Sequence, residues 1–258
     1  MPIMTLSVRT SEPVTWRAYD GGEAAGTVCA FLRPDHRWFA WFESCRDDCY
    51  QPLIEMVAAD LGRDLLTTVD EADEAGLARL TAIGFTELRR EGLYVIPARP
   101  DNGGAEVPRA LEVISASAAG ESKLRRFDDE LRADVPGSDG WTWDPDDFHE
   151  ETYDSREFDP ATYLIGVDKA GGQYAGLARI WMRPESARLG LIAVAAPYRR
   201  RGLARALLGR TLAAAAAQGR TEVTAEVDDT NLACAALLAG FGGRRVGGTV
   251  ELVRAQAA

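Results

Sequence analysis

Arg199, Arg200 and Arg201 stand directly before Gly202, and Ala204 follows two positions later. An apolar stretch, Leu189 to Val194, leads into them through Ala195, Ala196, Pro197 and Tyr198. The pattern reads as a strand, a proline turn and the first turn of a helix, with three cations at the joint. The first backbone N–H groups of a helix have no intrahelical partner, and the aligned peptide dipoles add partial positive charge there. Small residues at 202 and 204 let a bulky anion reach that backbone, and the arginines supply charge around it. The chemistry expected of this joint is therefore the grip of a pyrophosphate. No Gly-Lys-Ser/Thr follows, which separates it from a P-loop. No G-x-G-x-x-G opens an early strand–turn–helix unit, which separates it from a dinucleotide fingerprint.

The rest of the chain narrows what such a joint serves. Its 258 residues suffice for one large or two small domains, and 46% of them are hydrophobic. A net charge of −11 argues against binding nucleic acid or an anionic membrane, both of which favour a basic face. One arginine cluster on an acidic protein suits a localised anionic ligand; the acidic remainder reads first as a solubility device, with attraction of a cationic amine as the alternative. Cys29, Cys45, Cys49 and Cys234 form no metal-ligand pattern with the two histidines, His36 and His149, so no metal is expected. Met1-Pro2-Ile3-Met4-Thr5 has neither a charged nor an apolar leader region, and the apolar run Leu212 to Ala217 is too short to cross a bilayer. Reduced thiols in the cytoplasm are the expectation.

The chain also repeats itself. Ala24 to Pro34 aligns with Tyr174 to Pro184 at an offset of 150 (Gly26 to Gly176), keeping Ala-Gly at one end and Arg-Pro at the other. Leu65 to Asp73 aligns with Val223 to Asn231 at an offset of 158 (Gly84 to Gly242). The second copy thus holds eight more residues between its matched blocks, and they fall at the arginine joint. Two similar units are implied, of which only the second carries the anion-binding loop.

Pro97 to Pro108, rich in Pro, Gly and Asp, reads as the connection between them. The domains expected are residues 1–97, a linker at 98–108, and residues 109–258. In the second unit the pattern predicts a strand at Leu111 to Ser115, a helix at Glu121 to Ala133 and an acidic segment. Strands at 163–167, 173–182 and 188–194 lead to the joint, followed by a helix at 202–218, a strand at 222–227, a helix at 231–239 and a strand at 249–253.

With R-x-x-G-x-A (Arg199, Gly202, Ala204) after an apolar strand and V-x-x-P (Val194, Pro197), the second unit resembles the GNAT superfamily of N-acetyltransferases over nearly its whole length. The first unit resembles a truncated remnant of the same fold. The resemblance implies an α/β class with mixed sheets, two tandem GNAT-like folds, and a sheet split after its fourth strand. It implies acetyl-CoA as acyl donor and transfer of the acyl group to the amine of a small molecule by direct attack in a ternary complex. Backbone groups of Ile192, Ala193 and Val194 are then expected to meet the pantetheine arm. The amides from Arg200 through Arg201, Gly202, Leu203 and Ala204 to Arg205 are expected to cradle the pyrophosphate, with Arg199 opening the motif. Asn231 is expected beside the pantetheine and is equally a good helix N-cap.

For the chemistry, the resemblance implies the Val194 N–H as oxyanion donor and Glu226 as general base, directly or through water. The first copy has Thr68 in place of Glu226. Many members carry a Tyr seven residues after the Asn, where this chain has Leu238, leaving Tyr198, a tyrosine from the acceptor side or solvent to protonate the departing thiolate. Trp141, Trp143 and Tyr153 are expected at the acceptor pocket, whose aromatic and acidic groups suit an amine. A non-catalytic CoA-binding or sensing protein is the alternative function. The assembly expected is a monomeric pseudo-dimer or a homodimer.

Overall fold

The computed structural model describes residues 13–33, 35–138 and 140–256. The expectation for Met1 to Thr5 lies outside them. The first copy contributes β1 (Val14–Asp20), β2 (Glu23–Leu32), β3 (Trp38–Cys45), α1 (Tyr50–Leu61), β4 (Leu65–Asp70), α2 (Glu74–Ala82) and β5 (Thr86–Pro97). The second contributes β6 (Leu111–Ser115), α3 (Glu121–Arg132), α4 (Pro145–His149), β7 (Tyr163–Asp168), β8 (Tyr174–Met182) and β9 (Ala187–Val194). It continues with α5 (Leu203–Ala217), β10 (Glu222–Asp228), α6 (Leu232–Ala239) and β11 (Arg244–Arg254). The α/β class and most boundaries agree with the sequence pattern, although β11 begins five residues earlier than the expected Thr249. The acidic segment forms the short α4 followed by a π-helical turn, Glu150–Asp154.

Two compact units are present, Met1–Arg89 with Thr249–Ala258, and Arg90–Gly248. The boundaries differ from those expected, because each copy's last strand completes the other unit's sheet. In the first unit, Thr249 to Arg254 of β11 lie antiparallel to β4. In the second, Glu91 to Pro97 of β5 lie antiparallel to β10. Composition does not reveal this exchange, since strand pairing is chosen by alternation and both strands alternate alike. The expected linker is also no free connection. Residues Pro100–Gly104 form a 3-10 turn against α5, so close that a side chain at Gly209 would collide with the Asn102 carbonyl.

The first unit has the order β1-β2-β3-β4-β11. Its opening hairpin turns on Gly21 and Gly22, whose φ of 59° and 92° suits a two-residue turn that only glycine-like residues adopt freely. Helices α1 and α2 pack Leu53, Ile54, Val57 and Leu80 against Val28, Ala40 and Leu65.

The second unit has the order β6-β7-β8-β9-β10-β5. Helix α5 covers one face, with Leu203 and Leu207 against Ala175, Ala178 and Val194, and Leu208 and Leu212 against Ile180 and Leu189. Helix α3 covers the other, with Leu124, Phe127 and Leu131 against Tyr163, Ile165 and Leu177. Two glycines set how closely α5 approaches. A Cβ at Gly166 or Gly176 would lie 2.9 or 3.2 Å from the Leu203 methyls, so both strands leave room for the first residue of the helix. This brings the N-terminus of α5 down onto the sheet beside the end of β9.

Candidate functional site

The ladder between parallel strands β9 and β10 holds only at Ala187↔Val223 and Arg188↔Thr224. Beyond that the strands part, and a cleft of about 440 Å³ opens between their C-terminal ends. Ile192, Ala193, Val194, Arg199, Ala204 and Asn231, all expected at the ligand, line it. Cys234 and Leu237 of α6 line it as well and were not foreseen, though they share a helical face with Asn231.

The backbone of β9 is polarised toward this cleft. Ala195 donates its N–H to Ala175 on β8 at 2.9 Å. Peptide groups alternate along a strand, so the N–H and C=O of Val194 point the other way, into the split. The carbonyl accepts from Arg199 Nε at 2.8 Å, and the N–H is left directed at the cleft. Ile192, two residues back, presents its peptide groups on the same side.

The arginine joint divides its labour. Arg200 and Gly202 have φ of 61° and 88°, which swing the chain into α5, and Gly202 is the N-cap without any side-chain cap. The first intrahelical bond, Ala206 N–H to Gly202 O, is 3.0 Å, so the amides of Leu203, Ala204 and Arg205 face the end of the helix. A Cβ at Gly202 would meet nothing within 4 Å. Glycine is thus demanded by the backbone angle, and a larger side chain would project into the space an anion needs.

The side chains differ from the simple expectation of three phosphate-facing cations. Arg199 is committed to structure, through Val194 O and, at 2.8 Å, Asp134 Oδ2. Leu203 is buried under the helix and offers only its backbone. Arg200 and Arg201 are exposed. Arg205 lies over the Phe241 ring at 5.1 Å and reaches the Gly240 carbonyl at 3.5 Å. Tyr198, one expected proton donor, gives its hydroxyl to Asp168 Oδ2 at 3.0 Å and lines no part of the cleft. The Asp168 carboxyl is held below its ordinary range by the Ala170 amide and the Tyr198 hydroxyl, with Arg201 adding to it.

Glu226 alternates with buried Val223, Ala225 and Val227, so it stands on the sheet face opposite α5. Its Oε2 accepts from both Nε, at 3.0 Å, and an Nη of Arg188. Arg188 thereby orients the carboxylate while leaving Oε1 for another partner; sequence reasoning missed it, since the pair links separate strands. Asn231 Oδ1 accepts from Cys234 N–H at 3.1 Å, so the cap is formed at the rim of the cleft. Leu238 is fully buried in the core under α5.

The three aromatics expected at an acceptor pocket stand outside the cleft. Trp143 is a core residue, its indole N–H on Asp128 Oδ1 at 3.0 Å and its backbone N–H on Asp129 Oδ1 at 2.9 Å. This corrects the expectation of a pocket wall: the indole's polar edge found a buried carboxylate. Trp141 packs edge-on to Trp143 at 4.7 Å and over Arg132 at 4.3 Å. Tyr153 sits among Phe148, Phe158 and His149. None of the three lines the cleft. One signal pointed to the buried polar group behind them: Asp128 falls on the apolar stripe of α3 beside Leu124, Phe127 and Leu131.

Among the described residues no group of three or more His, Cys, Asp or Glu side chains is placed to hold a metal ion, and no helix is long and apolar enough to cross a membrane. Residues 125–242 match the model of the acetyltransferase (GNAT) family. Among solved structures, the chain is similar to a GCN5-related N-acetyltransferase from Sphaerobacter thermophilus, at 16% identity and a TM-score of 0.71, over 92% of this chain and 78% of that one. It is similar to a tandem GNAT protein from the clavulanic acid biosynthesis pathway, at 15% identity and a TM-score of 0.68, over 95% and 83%. A GCN5-related N-acetyltransferase from Kribbella flavida matches at 16% identity and a TM-score of 0.62, over 89% and 87%. At such identities the likeness is one of fold. No curated protein matches the chain in sequence.

Proposed function

We propose that this chain, whose residues 125–242 match the acetyltransferase (GNAT) family model, transfers the acetyl group of acetyl-CoA to the amine of a small molecule, by direct attack in a ternary complex. The observation that carries this reading is the cleft between β9 and β10, with the Val194 N–H directed into it and the N-terminus of α5 at its mouth. The donor set fits a CoA thioester. Peptide groups of Ile192 and Val194 match pantetheine amides, and the amides from Gly202 to Arg205 match a pyrophosphate. Arg200, Arg201 and Arg205 offset phosphate charge on a protein whose net charge is −11.

In the reaction, the Val194 N–H stabilises the negative charge that develops on the thioester oxygen. Glu226, oriented by Arg188, accepts a proton from the attacking amine, directly or through water. Buried Leu238 has no proton to give, so solvent protonates the leaving thiolate. The setting of this reading is the cytoplasm, where cysteines without a metal-ligand pattern stay reduced.

Calorimetric titration with acetyl-CoA tests the cleft. Saturable binding that Gly202→Glu abolishes is expected, and binding indifferent to that substitution overturns the assignment. A panel of amines read by thiol release then tests transfer. The pairing of Glu226 with Arg188 and the apolar residue at 238 favour one second reading, a CoA sensor, which predicts acetyl-CoA binding with no thiol release for any amine.

A further inference from the structure

Beneath α3, on the sheet face that carries Glu226, lies a polar cluster inside the hydrophobic core. Asp128 is fully buried and accepts from Arg132 Nε at 2.6 Å, from Arg179 at 3.3 Å and from the Trp143 indole. Its neighbour Asp129 pairs with Arg125 at 3.2 Å. Three guanidiniums thus meet the two carboxylates of α3; two of them, Arg132 and Arg179, are buried, and Glu151 lies within electrostatic reach of Arg179. A buried donor is costly unless an acceptor answers it.

Four polar atoms close by have no hydrogen-bond partner among the described residues: Arg179 Nε, the Tyr163 and Tyr153 hydroxyls, and Thr152 Oγ1. Arg179 and Tyr163 are 3% and 1% exposed, so they lie away from bulk solvent. The Arg179 guanidinium stands 5.3 Å from the Tyr163 ring and 4.6 Å from the Trp181 ring. Every one of the four is able to donate, and an arginine Nε can only donate. Burial pushes the Tyr153 phenol up to about 12 and raises Tyr163 further, so both keep their protons at neutral pH. A set of unpartnered donors that includes a guanidinium is the complement of a carboxylate, which only accepts.

The placement relates this cluster to the cleft. Trp181 and Arg188 are register partners across β8 and β9, and Arg188 holds Glu226 on β10. Arg179, Trp181, Arg188 and Glu226 therefore form a row on one sheet face, crossing three strands, a span of roughly 10 Å between the outer two. The outer cover is the π-helical turn Glu150–Asp154, a geometry frequent at functional sites, with Glu150 and Glu151 exposed and Thr152 buried.

We propose that Arg179, with the Tyr163 and Tyr153 hydroxyls, receives a carboxylate of the acceptor, which makes the acceptor an amino-carboxylate whose amine lies toward Glu226. The proposal rests on the acetyltransferase reading for the amine, but the carboxylate site is testable without turnover.

Titration of the whole chain with propionate and with propionamide, read by tryptophan fluorescence and by thermal unfolding, is the first experiment. Propionate is expected to raise the unfolding temperature and change the fluorescence, with propionamide inert. Equal responses to the two, or none to propionate, overturn the site. Trp181→Phe is expected to diminish the fluorescence change and keep the thermal shift. Arg179→Gln is expected to remove both responses. Since it opens a buried ion pair, Tyr163→Phe serves where that variant does not fold, with propionate affinity expected to fall about tenfold through loss of one charge-assisted hydrogen bond. An unaltered affinity in Tyr163→Phe overturns the assignment.

5-Aminopentanoate against 5-aminopentanamide and 6-aminohexanoate against 6-aminohexanamide, with acetyl-CoA, then read acceptor choice. A preference for the carboxylates that weakens in Tyr163→Phe supports the site. Transfer with no preference and no propionate binding overturns the site while the acetyltransferase reading stands. Propionate binding without transfer to any amine leaves the site and removes the acetyltransferase reading.

Discussion

The two units each contain a parallel strand pair that separates after two register positions, β3 from β4 after Trp38↔Leu65 and Phe39↔Leu66, and β9 from β10 after Ala187↔Val223 and Arg188↔Thr224. What stands at the parting differs. Phe42 occupies the register of Ile192, as Val28↔Phe42 and Ala178↔Ile192 show. At the offset of 158, Arg79 corresponds to Leu237, and Tyr50 opens α1 where Leu203 opens α5. In the first unit these three join: the Phe42 and Tyr50 rings lie 4.4 Å apart, Arg79 covers Tyr50 at 4.8 Å, and Asp47 holds Arg79 at 3.0 Å. In the second, Ile192 and Leu237 line an open cleft and Leu203 is buried under its own helix. The same strand topology is thus plugged by an aromatic–cation stack in one copy and kept open by aliphatic residues in the other. The two partings differ in side-chain volume and in one loop.

The comparison breaks most sharply at Glu226. The first unit has Thr68 there, and Glu226→Gln should deprive the second unit of its proposed base. A loss of general-base assistance lowers kcat by about 10²- to 10⁴-fold, while acetyl-CoA affinity by calorimetry stays unchanged. An unchanged kcat removes Glu226 from the mechanism and moves weight to the sensor reading.

Next in size is an exchange of the plug. Ile192→Phe with Leu237→Arg, which writes the first unit's residues into the second, should weaken acetyl-CoA binding roughly 10- to 100-fold, from the 1–3 kcal/mol that overpacking costs. The reciprocal Phe42→Ala removes one ring of the stack and should lower stability by about 2 kcal/mol, less than a fully buried phenylalanine because Phe42 is half-buried. It should create no acetyl-CoA site, because β3 joins α1 without an arginine loop. Denaturant unfolding and calorimetry check the two halves of this statement. Acetyl-CoA binding gained by opening the first unit would show that volume alone separates them.

Much of this was legible beforehand, and the reasons are local. The two offsets, 150 and 158, located the loop in one copy because an insertion is a matter of counting. The helices and strands of the second unit followed from apolar periodicity and punctuation by Gly and Pro. Ile192 to Val194, Ala204 and Asn231 were legible because backbone groups at a strand end and a helix start are placed by the chain itself. The exchange of β5 and β11 was not, since either strand's alternation satisfies either sheet. Side-chain allegiance was hidden as well. Arg199 turns to Val194 O and Asp134, and Trp143 to Asp128, through partners separated by turns whose path no spacing rule reveals.

The smallest expected effect concerns how the distinguishing loop is tied down. Tyr198, just before the arginines, binds Asp168 at the end of β7, and the position 150 residues earlier in the first copy is Ala18. Asp168 has a folded pKa below its ordinary value of 3.8, so its contribution to stability is present above that value and is lost as pH falls through the lower, folded one. Tyr198→Phe removes one of the two leading causes and leaves the Ala170 amide. The folded pKa should then rise part of the way toward 3.8, so the last portion of acid-induced loss begins at a slightly higher pH, while stability at pH 7 falls by no more than a surface hydrogen bond is worth. Because both groups are half-buried near the protein surface, the effect is small and is read best by NMR titration of the Asp168 carboxyl. A variant carboxyl titrating where the wild type does would assign the depression to the backbone alone and leave the loop anchored by Arg199.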